Sequence, residues 1–133
     1  MYFPYLRGKQ FELIALREIC SFIKNKEIIS PIIEPVKEAT VTLLKTIECL
    51  VKHELNFNLI INPKIGDIKN PQIILNIIKS HLSGYNNYQP SFVVNQNSNF
   101  GKLSEVIEEN NLINITIICN EIPKEEEEFL KFI

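Results

Sequence analysis

Short apolar runs alternate along the chain with stretches in which apolar residues recur at helical spacing. The first run is Tyr2-Phe3-Pro4-Tyr5-Leu6, and Leu13, Leu16, Cys20 and Ile23 then fall on one helical face. The second run, Ile28 to Ile33, precedes a stripe of Leu44, Ile47, Val51 and Leu55, with Thr40 or Thr42 as N-cap. The third run is Phe57 to Ile61. Asn70-Pro71 after it reads as a cap with proline at the first helical position, and Gly84 ends a helix that carries Ile74, Ile77, Ile78, His81 and Leu82 on one face. The fourth run, Ser91 to Val94, is followed by Leu103, Val106 and Ile107. The fifth, Ile113 to Cys119, is followed by a helix opened by Pro123 with Phe129, Leu130 and Ile133 on one side.

The pattern is five consecutive βα units. The runs are nearly all apolar instead of alternating, as expected of parallel strands covered on both faces. Two architectures accept this. One is a partial TIM-barrel-like sheet. The other is a five-stranded, doubly wound, flavodoxin-like sheet. A complete barrel needs about 250 residues. The 133 residues therefore form one domain, expected to be the N-terminal part of a longer barrel if that architecture holds. Such an open half barrel would leave a strand edge and an apolar face uncovered, so self-association is expected of it.

Each run ends on a polar residue: Leu6 is followed by Arg7, Ile33 by Glu34, Ile61 by Asn62, Val94 by Asn95, and Cys119 by Asn120 and Glu121. Parallel strands gather these groups at one rim, where sites of such folds lie. Turn chemistry accounts for polar residues after strands equally well. If the rim is a site, Arg7 and Lys9 are the anion-binding pair and Asn62, Asn95 and Asn120 orient a substrate. Glu34 and Glu121 are then the candidate catalytic acid and base. The competing assignment gives Glu34 an ion pair with Arg7 or Lys37 that ties the first two units together.

Composition narrows the function little. Charged residues make up 23% and the net charge is -2, with no basic stripe, so nucleic acid is not an electrostatic partner. No run approaches the roughly 20 apolar residues of a membrane helix, and no secretory leader is visible. Cys20, Cys49 and Cys119 are widely spaced, without a CxxC or a Cys/His spacing, so neither a zinc site nor a disulfide framework is expected. All three read as buried, reduced thiols in a cytoplasmic protein. Phosphate-loop and dinucleotide signatures are missing, and no cofactor is indicated. His53 and His81 read as outer-layer helix residues.

The segments YFPYLRGKQFELIALREI, ISPIIEPVK and LIINP resemble the "beta protein" family of bacteria and phages. The matching positions are Pro4, Arg7, Lys9 and Glu12, then Pro31, Glu34 and Pro35, then Asn62 and Pro63. The resemblance is strong over the first two units and moderate over the third. It implies a TIM-barrel-like fold longer than this chain and a gene that often lies beside a nuclease-like one. It brings no chemistry with it. Two functions are therefore expected. The first is a protein-binding component of a phage-defence or conflict system, with a partner encoded nearby or a second copy of itself. The second is an enzyme acting on a phosphate-containing or nucleotide substrate at the strand ends.

Overall fold

A computed structural model describes residues 2–24, 26–36, 40–64, 66, 68, 70–119 and 126–133, with the side chains of 126, 128 and 129 left aside. The elements alternate strictly: β1 (Tyr5–Arg7), α1 (Gln10–Cys20), β2 (Ile32–Glu34), α2 (Val41–Lys52), β3 (Phe57–Ile60), α3 (Gln72–His81), β4 (Tyr88–Val94), α4 (Phe100–Glu109), β5 (Thr116–Cys119) and α5 (Glu126–Phe132). All five strands pair in parallel in the order β1-β2-β3-β4-β5. A doubly wound sheet needs a point where the strand order reverses. This sheet has none, so the flavodoxin-like alternative is set aside. With right-handed crossovers, sequential order puts every helix on one face, as in a barrel wall.

That face holds the core. Ile33, Phe57, Leu59, Ile61 and Phe92 alternate toward the helices and cluster with Leu13, Leu16, Ile47, Leu50 and Ile74. The buried positions of α1 are the expected Leu13, Leu16 and Cys20. In α2 the buried face is Leu43, Thr46, Ile47 and Leu50, turned by about one position from the expected stripe. Leu44 and Val51 are only half-buried there. A threonine is tolerated inside because its hydroxyl donates to the Thr42 carbonyl at 2.9 Å. Thr40 is the N-cap residue of α2, without a side-chain capping bond. On α3, Asn70 Oδ1 accepts from the Gln72 N–H as expected of a cap, and His81 is exposed. Leu130 and Ile133 were expected on one side of α5. Both are exposed, because among the described residues nothing packs over that side of α5. Pro123 and the side chain of Phe129 lie outside the described residues.

The opposite face is concave. Asn58 and Ser91 are fully buried on it, although the helices lie on the other side. The Thr116 hydroxyl of β5 lies 3.0 Å from Asn58 Oδ1 of β3 and 2.9 Å from Gln89 Oε1, while the Asn58 amide donates to Ser30 Oγ at 2.9 Å. Neighbouring strands are about 4.8 Å apart, so β3 and β5 are roughly 10 Å apart. Their side chains meet over β4 only if the sheet curls toward them.

Gly66 holds the third βα loop against the top of β2. Its φ is 99°, and a Cβ built there would run into the backbone and Cβ of Val36. Gly66→Ala is therefore expected to lower stability by more than about 1 kcal/mol, through both left-handed strain and the clash. Urea unfolding monitored by circular dichroism measures the loss.

Candidate functional site

Parallel pairing does bring Arg7, Glu34, Asn62 and Asn95 to one end of the sheet, with Arg7 opposite Glu34 in register. Their side chains have different fates. Glu34 is only 2% exposed. Its Oε1 accepts from the Tyr5 hydroxyl at 3.1 Å and its Oε2 from the Lys64 N–H at 3.0 Å. Its carbonyl accepts the Gly8 N–H at 2.6 Å. A Cβ on Gly8 would sit 3.1 Å from Pro35 Cα, so glycine lets the first loop lie on β2. Glu34 is thus a tie among the first three units. The tie runs through Tyr5 and a backbone amide, while the pairing considered from sequence was with Arg7 or Lys37. Lys37 lies outside the described residues.

Asn62 is committed to β4: its amide donates to the Val93 carbonyl at 3.0 Å, and its Oδ1 accepts the Val93 N–H at 2.8 Å. Asn95 closes a turn, with Oδ1 accepting the Asn97 N–H at 2.9 Å and its own N–H donating to Ser98 Oγ at 2.8 Å. Turn and strand-end chemistry therefore absorbs both amides. Arg7 and Lys9 are exposed and line an open depression of about 450 Å³ with Tyr5, Phe11 and Glu12. Asn120 and Glu121, the other two rim candidates, lie outside the described residues.

A second surface lies at the open edge; an uncovered strand edge and apolar face were expected of a half barrel, but the residues that form them were not named from the sequence. Along the free side of β1 and over α1, an apolar groove of about 360 Å³ is lined by Tyr2, Pro4, Leu6, Glu12, Ala15, Leu16, Ile19, Ile23, Ile29 and Pro31. Around it Phe11 is 83% and Phe22 80% exposed, and Tyr2, Phe3, Tyr5, Ile19 and Ile28 are exposed too. Glu12 sits where groove and depression meet. Its Oε2 is cut off from solvent and has no hydrogen-bond partner among the described residues. The missed signal was the width of the apolar pattern on α1: Phe11, Ile19 and Phe22 lie outside the stripe through Leu13, Leu16 and Cys20.

The structure also revises the cysteines. Cys20 is buried, but Cys49 is half-buried and Cys119 exposed. Cys20, Cys49 and His53 converge, with their thiol sulfurs and an imidazole nitrogen all within 4.8 Å of one another. Burial, then the hydrogen bond with Cys49, pushes the Cys20 thiol up to about 11. Spacing rules did not reveal this group because it joins two helices packed side by side.

No family model, curated protein or solved structure matches the chain. Among the described residues no helix is long and apolar enough to cross a membrane.

Burial raises the Tyr5 phenol to about 12, with the charge and hydrogen bond of Glu34 adding and Arg7 opposing. A folded pKa above the unfolded value of about 10 means that the contribution to stability is complete below pH 10 and is lost as pH rises through 12. The near-ultraviolet absorbance difference between the parent and Tyr5→Phe is expected to show one phenol titrating near 12. A transition near 10 would show that the bond to Glu34 is not formed.

Proposed function

We propose that the chain is a protein-binding component of a larger assembly, its main contact surface being the free edge of β1 with the groove over α1. The carrying observation is the cluster of exposed Phe11, Ile19 and Phe22 beside that groove. Soluble proteins rarely leave contiguous apolar surface of this kind without a partner. A parallel edge strand adds unpaired backbone groups that another chain can complete. Glu12 supplies a polar anchor: half-buried between groove and depression, its carboxylate can meet a lysine, an arginine or a backbone N–H of the partner. The partner surface that fits is therefore an apolar segment carrying one hydrogen-bond donor, preferably cationic.

The resemblance to the "beta protein" family extends this proposal to a bacterial or phage conflict system, with the product of the neighbouring gene as partner and a second copy of the chain as the other occupant. The rim supports an enzyme less well, because Asn62 and Asn95 are occupied with backbone groups and Glu34 is enclosed.

Phe11→Glu and Ile19→Glu lie on exposed positions and are expected to leave the fold intact while weakening the complex at least about tenfold, as loss of a central apolar anchor does. Pull-down with the neighbouring gene's product reads the complex, and sedimentation of the chain alone separates self-association from a different partner. A parent protein that stays monomeric and captures nothing from that gene product would contradict the proposal.

A further inference from the structure

At the other end of α1, away from the strand-end rim, two thiols and an imidazole form a group that the binding function does not use. Cys20 is the last residue of α1, Cys49 lies in the last turn of α2, and His53 is the C-cap residue of α2. The Cys20 and Cys49 sulfurs are 2.7 Å apart. Non-bonded heavy atoms rest at about 3.5–4.0 Å, whereas a disulfide bond is about 2.05 Å. The pair is therefore well inside contact distance and about 0.7 Å short of a bond. A zinc ion bound by both sulfurs at about 2.3 Å in a tetrahedron would hold them about 3.8 Å apart, so the gap is too narrow for a bridging cation.

We propose that Cys20 and Cys49 are a redox-active dithiol that hydroperoxides oxidise to a disulfide joining α1 to α2, with His53 as the base. The two thiols differ in access, which sets the order of events. Cys49 is half-buried, and His53 follows it by four residues, one turn along the same helix, so an imidazole lies beside the accessible thiol. Cys20 is 1% exposed, so Cys49 is the thiol a peroxide reaches first.

His53 takes the Cys49 proton. The thiolate attacks the O–O bond of a hydroperoxide, giving a sulfenic acid on Cys49 and releasing the alcohol, or water from hydrogen peroxide, once the leaving oxygen is protonated. The Cys20 sulfur then attacks the sulfenyl sulfur as its proton is removed. The S–S bond forms and the hydroxyl leaves as water. Two thiols have lost two protons and two electrons, and the peroxide has gained them. A low-molecular-weight thiol reverses the step by exchange. The disulfide closes a loop that holds the α1–β2 connection, the whole of β2 and most of α2, so it restrains the unfolded chain as well as the helix pair.

The test uses the Cys119→Ser protein, reduced and then treated with equimolar hydrogen peroxide. Intact mass is expected to fall by about 2 Da, for the two hydrogens lost. Both thiols should disappear together, a Cys20–Cys49 cross-linked peptide should appear, and the melting temperature should rise and return on adding dithiothreitol. Cys49→Ser, at a half-exposed position, should fold and show no cross-link and no thermal shift. Cys20→Ser should leave a sulfenic acid on Cys49 that a dimedone-type probe traps. His53→Ala should close several-fold more slowly to the same product, and an unchanged rate would overturn the role of the imidazole. Thiols that stay titratable in peroxide, over-oxidation of Cys49 without a cross-link, or stoichiometric zinc uptake by the reduced protein that blocks closure would each overturn the proposal.

Discussion

Everything above the level of single helices depends on the inward curl of the parallel sheet. The contact that fixes it is small. Thr116 and Asn58 approach to 3.0 Å although a whole strand lies between them. Ser30 and Gln89 complete a polar layer around Asn58 and Thr116, which is almost entirely shielded at Asn58 and Ser91. A buried amide without partners would cost roughly 1–3 kcal/mol, so this layer holds its geometry only while the strands stay bent around it. The bend puts the helices on the convex side, the strand ends at one mouth, and the two outer strands at edges that among the described residues nothing covers.

The mouth and the edge differ in what the bend leaves available. At the mouth, the loops fold onto the strand ends and engage Glu34, Asn62 and Asn95, while Arg7 and Lys9 stay exposed. Glu34 receives Tyr5 and the Lys64 amide, and Asn62 takes both backbone groups of Val93. At the edge nothing among the described residues folds inward, and Tyr5, Phe11 and Ile19 remain exposed with Glu12 between groove and depression. Glu34, Asn62 and Asn95 therefore serve the architecture of the mouth. The surface with unfilled bonding capacity is the side.

Periodicity made the βα rhythm legible, because near-continuous apolar runs mark strands buried in a parallel sheet and helical spacing marks the helices between them. Strand order was not legible. The same βα rhythm serves sequential and doubly wound sheets, and the choice lies in which strand each crossover returns beside. The rim was legible as a place, but no pattern says whether Asn62 will face a ligand or the Val93 backbone. The inner layer was hidden for a related reason. Asn58 lies within an apolar run, and its partners Ser30 and Thr116 are distant in sequence. Cys20 and Cys49, 29 residues apart, meet only because α1 and α2 pack together.

A double-mutant cycle across β4 tests the curl itself. Asn58→Ala, Thr116→Val and the double variant are unfolded in urea and their stabilities compared. The account predicts that the two substitutions are coupled by about 1 kcal/mol or more, since residues sharing a buried hydrogen bond do not act independently. Additive losses, within about 0.3 kcal/mol, would mean that the two side chains do not meet. The sheet would then be flatter than described, and neither its mouth nor its edges would have the shape argued for here.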